Sequence, residues 1–189
     1  YPTQRFQKYN TMRNSNNKEK GFSNIIPGKS SYGFDNEDDY INHYSQCYYA
    51  ITCKKGGWDC LRHYEIIAAG SIPYFLEIDN IPNMTMKSFP KNLVKLAMNL
   101  PGIPSENEVK KCIENDTKIS INYDIFDINK YNELRKDILS HFQQKCLTKT
   151  LCNKLNPPQT LCLFSPIVKG PQDYQRDLLI ISLLENGHN

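Results

Sequence analysis

The sequence predicts an α/β domain in which helices cover both faces of a mainly parallel sheet, a three-layer arrangement. Three observations carry that expectation. Strand and helix signals alternate as β-α-β-α-β over residues 21–76, and the connections are short, which favours parallel strands joined by helical crossovers. Tyr48-Tyr49-Ala50-Ile51-Thr52-Cys53 is rich in aromatic and β-branched residues and stops at Lys54-Lys55-Gly56-Gly57, as a strand ending in a turn does. Asp59 and Gly70 then bracket an apolar stretch as helix start and stop signals.

Residues 1–20 hold Arg5, Lys8, Arg13, Lys18 and Lys20 against Glu19 alone, with few apolar residues, and read as a basic flexible arm or linker. The domain proper is expected over 21–156. Gly21 to Ile26 reads as a short strand closed by Pro27-Gly28. Asp35 to Asp39 supplies the acidic first turn of a helix running to about Gln46, with Tyr40, Ile41 and Tyr44 inward. A helix from Asp59 to Ala69 leads to a strand over 71–76. Prolines 82, 90, 101 and 104 punctuate two further helices near 91–99 and 106–114, and 118–123 alternates weakly, as a strand would. Asp127 caps the longest helix, whose Ile128, Tyr131, Leu134, Ile138, Phe142 and Cys146 recur at spacings of three and four. Thr148 restarts a short helix ended by Pro157-Pro158. A strand over 160–165 and a helix over 173–185 form a last βα unit within 157–189, either completing this sheet or opening another domain.

Composition narrows the function classes. The chain has 189 residues, 39% of them hydrophobic, and a net charge of +3 concentrated in the first twenty residues, so the body lacks the electrostatic footprint of a nucleic-acid-binding domain. No apolar run approaches the roughly 18 residues a membrane span requires. Seven cysteines without a Cys-x-x-Cys pair argue against a disulfide framework or structural zinc and favour reduced, cytoplasmic surroundings, with a luminal compartment as the alternative. The chain begins at Tyr1 and stops just after an apparent helix cap at Gly187, and reads as a piece of something longer.

The segment with chemistry to offer is 54–73. A strand's carboxyl end there passes into a helix N-terminus, the place where open α/β sheets bind ligands. Gly56 and Gly57 allow close backbone approach, and the first helical turn presents N–H groups with partial positive charge. Lys54 and Lys55 precede that turn and Arg62 lies in it, where the helix dipole disfavours a cation unless an anion sits between them. Glu65, among Tyr64, Ile66 and Ile67, needs hydrogen-bond donors. They could be ligand hydroxyls, or Arg62 or Lys54 in a structural ion pair. His43 with Cys47, and Cys60 with His63, each offer at most two metal ligands, and helix-face packing explains both pairs. Cys60 near Arg62 is a conceivable nucleophile. No P-loop, G-x-G-x-x-G, H-E-x-x-H or G-x-S-x-G sequence occurs.

Gly57-Trp58-Asp59-Cys60-Leu61-Arg62-His63-Tyr64-Glu65 followed by Ala69-Gly70-Ser71-Ile72-Pro73 resembles the R-x-x-E-x-x-x-x-G-x-I-P signature in the donor-binding half of exostosin-like glycosyltransferases. Phe126 to Tyr131 and Lys145 to Thr150 look like that family's closing helices. The resemblance, over about residues 40–156, implies a Rossmann-like domain that is one half of a GT-B architecture. It implies a nucleoside diphosphate sugar donor, UDP-sugar favoured, and a glycan or glycosylated acceptor. Glu65 would bind the ribose, Lys54, Lys55, Gly56, Gly57 and Arg62 would face the phosphates, and Gly70, Ser71, Ile72 and Pro73 would shape the adjoining wall. Lacking a metal-binding D-x-D, the enzyme would use no metal and no other cofactor. The acceptor site and catalytic base would belong to a second Rossmann-like domain outside this chain. The competing expectation is a non-catalytic module serving in assembly.

Overall fold

At the centre of the fold lies β2 (Cys47–Thr52), all six of whose residues are buried. It pairs in parallel with β1 (Lys20–Phe22) on one side, Phe22 opposite Tyr49. On the other side it pairs in parallel with β3 (Ile72–Phe75), from Tyr49 opposite Ile72 to Thr52 opposite Phe75. The computed structural model describes residues 1–14, 18–29, 33–155, 180–181 and 183–187, and among these the sheet has three strands in the order β1-β2-β3.

Successive strand residues face opposite sides of a sheet, and β2 buries both. Ala50 packs with Ile41 and Tyr44 of α3 (Glu37–Ser45) and Ile66 of α4 (Leu61–Ala68). Tyr49 and Ile51 belong to the larger cluster, which includes Val94 and Ala97 of α5 (Lys91–Met98) and Val109 of α6 (Glu106–Glu114). The Tyr49 hydroxyl donates to the Ala97 carbonyl at 2.7 Å. The longest helix, α7 (Ile128–Lys145), buries Tyr131, Leu134, Ile138 and Phe142, four residues of the predicted face. Tyr131 donates to the Tyr48 carbonyl at 2.7 Å. A final short helix, α8 (Thr148–Leu155), follows. The fold is thus mixed α/β with a small parallel sheet, and the strands flanking α4 run parallel as the alternation predicts.

Caps explain several boundaries. Asn36 accepts from the Asp39 amide and opens α3, whose first turn carries Glu37, Asp38 and Asp39. Asp127 accepts from the Lys130 amide at the start of α7, and Ser105 with Glu108 forms a reciprocal capping box on α6.

Other expectations are corrected. Residues 1–14 are not a mobile arm: they form α1 (Thr3–Lys8) and α2 (Asn10–Asn14), and Tyr1, Phe6, Tyr9 and Arg13 are buried. Residues 1–14 are therefore packed as part of the folded unit. Arg13 donates to the carbonyls of Phe6 and Ala68 at 3.0 and 2.9 Å, and Lys18 to those of Ser45 and Gly70, both at 2.8 Å. These cations satisfy orphan carbonyls at helix ends instead of facing water. The first strand stops at Phe22, and 118–123 is irregular, although Ile119 and Ile121 are buried. Ile128 is exposed, being in the first turn of α7 beyond the reach of the core. Asp59 does not cap α4; the cap residue is Cys60, with no side-chain cap bond, and Asp59 accepts from the Tyr64 hydroxyl at 2.8 Å. The expected strand at 160–165 lies outside the described residues, as does most of the helix expected at 173–185. Of that helix, residues 180–181 and 183–185 are helical and Leu183 is buried. Glu185 accepts from the Thr3 and Gln4 amides at the start of α1. Among the described residues no helix is long and apolar enough to cross a membrane.

Candidate functional site

The loop after β2 runs from Cys53 to Cys60 and delivers the chain to the start of α4, while Phe34 to Glu37 leads into α3. Both helix N-termini therefore lie at the carboxyl edge of the sheet. Between them opens a cleft of about 640 Å³, whose charged lining residues are Arg5, Glu37, Lys55, Arg62 and Glu65. Phe34, Tyr40 and Leu61 supply an apolar side and Asn36 an amide.

Lys55, Arg62 and Glu65 of the predicted site converge here. Gly56 and Gly57 lie in the adjoining loop, where a side chain on either would meet nothing within 4 Å, so the loop's outer side is open. Lys54 stands over the Trp58 ring, 5.3 Å from its centroid, a cation–π contact that draws its charge toward the loop. Arg62 is half-buried, and burial pulls its basicity below the usual guanidinium value, with Glu65 acting in the opposite sense.

Glu65 is buried, but its partners are not the expected ones. It accepts from Arg5 Nη2 at 3.2 Å and from the Tyr40 hydroxyl at 3.2 Å. Burial pushes its carboxyl above the ordinary range, and Arg5 and the Tyr40 hydrogen bond partly offset that. Arg5 also donates through Nε to Glu37, while Tyr9 donates to Glu37 at 2.6 Å and to Asp38 at 2.9 Å. Lys8 pairs with Asp38 at 2.5 Å. The basic face of α1 is thus docked on the acidic first turn of α3. Phe6, Tyr9 and Arg13 recur at helical spacing across α1 and α2, and that is the signal in the sequence for this helical segment and hence for Arg5.

Gly70, Ser71, Ile72 and Pro73 do not line the cleft. They lie at the other end of α4, about 12 Å away for eight residues at 1.5 Å each, on the amino edge of the sheet. Gly70 adopts a positive φ of 83° and its carbonyl accepts from Lys18 and Arg135. The Ser71 hydroxyl is held by the Tyr44 and Cys47 carbonyls. Ile72 is core, and Pro73 is paired opposite Ala50 in the sheet.

His63 and Cys60, behind the weaker metal and nucleophile alternatives, pack at the start of α4. Among the described residues no three His, Cys, Asp or Glu side chains gather as a metal site. His63 is fully buried, its Nε2 2.8 Å from the Trp58 carbonyl and its Nδ1 2.7 Å from Thr52 Oγ1. A carbonyl only accepts, so Nε2 carries the proton and Nδ1 accepts from Thr52. Burial depresses its pKa to about 4. The Cys60 sulfur lies 3.9 Å from Nδ1, whose lone pair Thr52 already uses, and burial pushes the thiol upward, which opposes thiolate formation.

Compared with family models, curated proteins and solved structures, the chain matches none.

Proposed function

We propose that the chain is the donor-binding part of a glycosyltransferase, taking a nucleoside diphosphate sugar in the cleft at the carboxyl edge of its sheet. UDP is the favoured carrier. The observation that supports this best is the convergence of Arg5, Lys55 and Arg62 with the first turns of α3 and α4 at the edge where parallel sheets bind ligands. Arg62, Lys55 and the α4 N-terminus face the diphosphate and stabilise the charge that develops on it as the glycosidic bond breaks, an electrostatic role that needs preorganised donors. Glu65, one turn into α4, receives the ribose hydroxyls with the acceptor capacity that Arg5 and Tyr40 leave on its oxygens. In this reading the acceptor glycan and the catalytic base come from a second Rossmann-like half, as in a GT-B enzyme.

Calorimetry with UDP and GDP tests it. Arg62→Ala should weaken binding by roughly 1.5–3 kcal/mol, about 10- to 150-fold, as for a lost charge-assisted hydrogen bond. Unchanged affinity would sink the assignment. One observation favours a second reading: Glu65 is already held by Arg5 and Tyr40, as suits a structural carboxylate in a non-catalytic interaction or assembly module. Glu65→Gln keeps the shape and halves the acceptor capacity. A variant that melts earlier yet binds nucleotide as tightly as the parent would favour the module.

A further inference from the structure

The structure assigns to the cleft a ligand-binding residue that lies far from the motif in sequence: we propose that Arg5, on α1, is a phosphate-binding residue held in position by Glu37 and Glu65. This rests on the reading of the cleft as a nucleoside diphosphate site.

The argument is one of donor geometry. A guanidinium carries five N–H donors in a rigid planar fork. Glu37 takes Nε and Glu65 takes one hydrogen of Nη2, which uses two of the five. The Tyr1 ring centroid lies 5.6 Å from Cζ, a cation–π contact that adds to the restraint. With both carboxylates and the ring in place, the torsional freedom of a long side chain is already lost before a ligand arrives, and binding does not incur that cost again. The Arg5 side chain retains 24% of its exposure and lines the same cleft as Lys55 and Arg62. Three cations thus converge on one space from α1, from the loop after β2 and from the first turn of α4. A diphosphate has oxygens for all three and suits a fork better than a point charge.

An alternative role is open to Arg5: it could act only through Glu65, by orienting that carboxylate for a ribose. The two roles differ in which part of a nucleotide feels the substitution. Uridine, UMP and UDP are titrated calorimetrically into the full chain, as parent and as Arg5→Lys, with Arg5→Gln as a second variant and thermal melting as the fold control. Lysine keeps the charge beside Glu65 and loses the fork, so the expected result is about a tenfold loss of UDP affinity, a smaller loss for UMP and none for uridine. UDP affinity unchanged in Arg5→Lys overturns the inference and leaves the donor-site reading standing. Equal losses for uridine and UDP also overturn it, since Arg5 would then act through Glu65 alone. A parent chain that binds none of the three ligands removes the donor-site reading and the inference together.

Discussion

Replacing Gly70 by Ala is expected to destabilise the protein by about 3 kcal/mol while leaving nucleotide affinity unchanged. The residue has φ of +83°, a conformation that costs a non-glycine residue about 1 kcal/mol or more. A Cβ placed there would lie 2.8 Å from Arg135 Nη2, 2.9 Å from Arg13 Cγ and 2.9 Å from the Arg13 carbonyl oxygen. Two of those atoms belong to side chains that could shift, but the third is backbone. Overpacking of that kind costs about 1–3 kcal/mol. Any relief by moving the chain disturbs the Gly70 carbonyl, which Lys18 and Arg135 share. In a chain of this length about 3 kcal/mol corresponds to a melting temperature lower by roughly 6–12 °C. Differential scanning calorimetry reads the stability, and UDP titration below the transition reads the affinity. A variant that melts within a degree of the parent would refute the packing argument. Normal stability with lost affinity would return Gly70 to the ligand wall that the resemblance implies.

Two further outcomes follow from buried polar groups. His63 has a folded pKa of about 4 against an ordinary 6.5, so as pH falls through that window the unfolded chain takes up the proton first. The stability contributed by neutral His63 is therefore present above pH 6.5 and lost towards pH 4. Glutamine does not titrate, so the stability advantage of the parent over His63→Gln, measured by urea unfolding, should shrink by about 3 kcal/mol between pH 7 and pH 4. A constant difference would contradict the assignment. Tyr131→Phe removes the donor to the Tyr48 carbonyl inside the core and should cost about 1–2 kcal/mol with no change in secondary structure by circular dichroism. A variant as stable as the parent would show that this hydrogen bond contributes nothing net.

The parallel sheet and α4 were legible because their signals are local. Tyr48 to Thr52 is a β-branched and aromatic run with a glycine turn behind it, and the α7 face repeats at three and four. The tertiary partners were not legible. Arg5 meets Glu65 across 60 residues of chain, and no spacing rule links them. The N-terminal segment reads as an arm in composition because its charge outweighs its apolar content, whereas in the fold Arg5 and Lys8 pair with the first turn of α3. Gly70 shows the converse case. In sequence it reads as a helix stop and as part of the resemblance, but the left-handed backbone and the Arg13 carbonyl against it emerge only in three dimensions. Asp59 looked like a cap by residue type, and Tyr64 took its oxygen instead.

The most direct test of the cleft as a nucleotide site is an amide chemical-shift titration of the ¹⁵N-labelled chain with UDP. The expected result is a saturable set of shifts confined to the turn of α1 around Arg5, Asn36 and Glu37, the loop from Lys54 to Gly57, and Leu61 to Glu65, with the amides of Gly70 to Ile72 unmoved. An absence of saturable shifts, or shifts centred on Gly70 to Ile72 and not on Arg62, would contradict it.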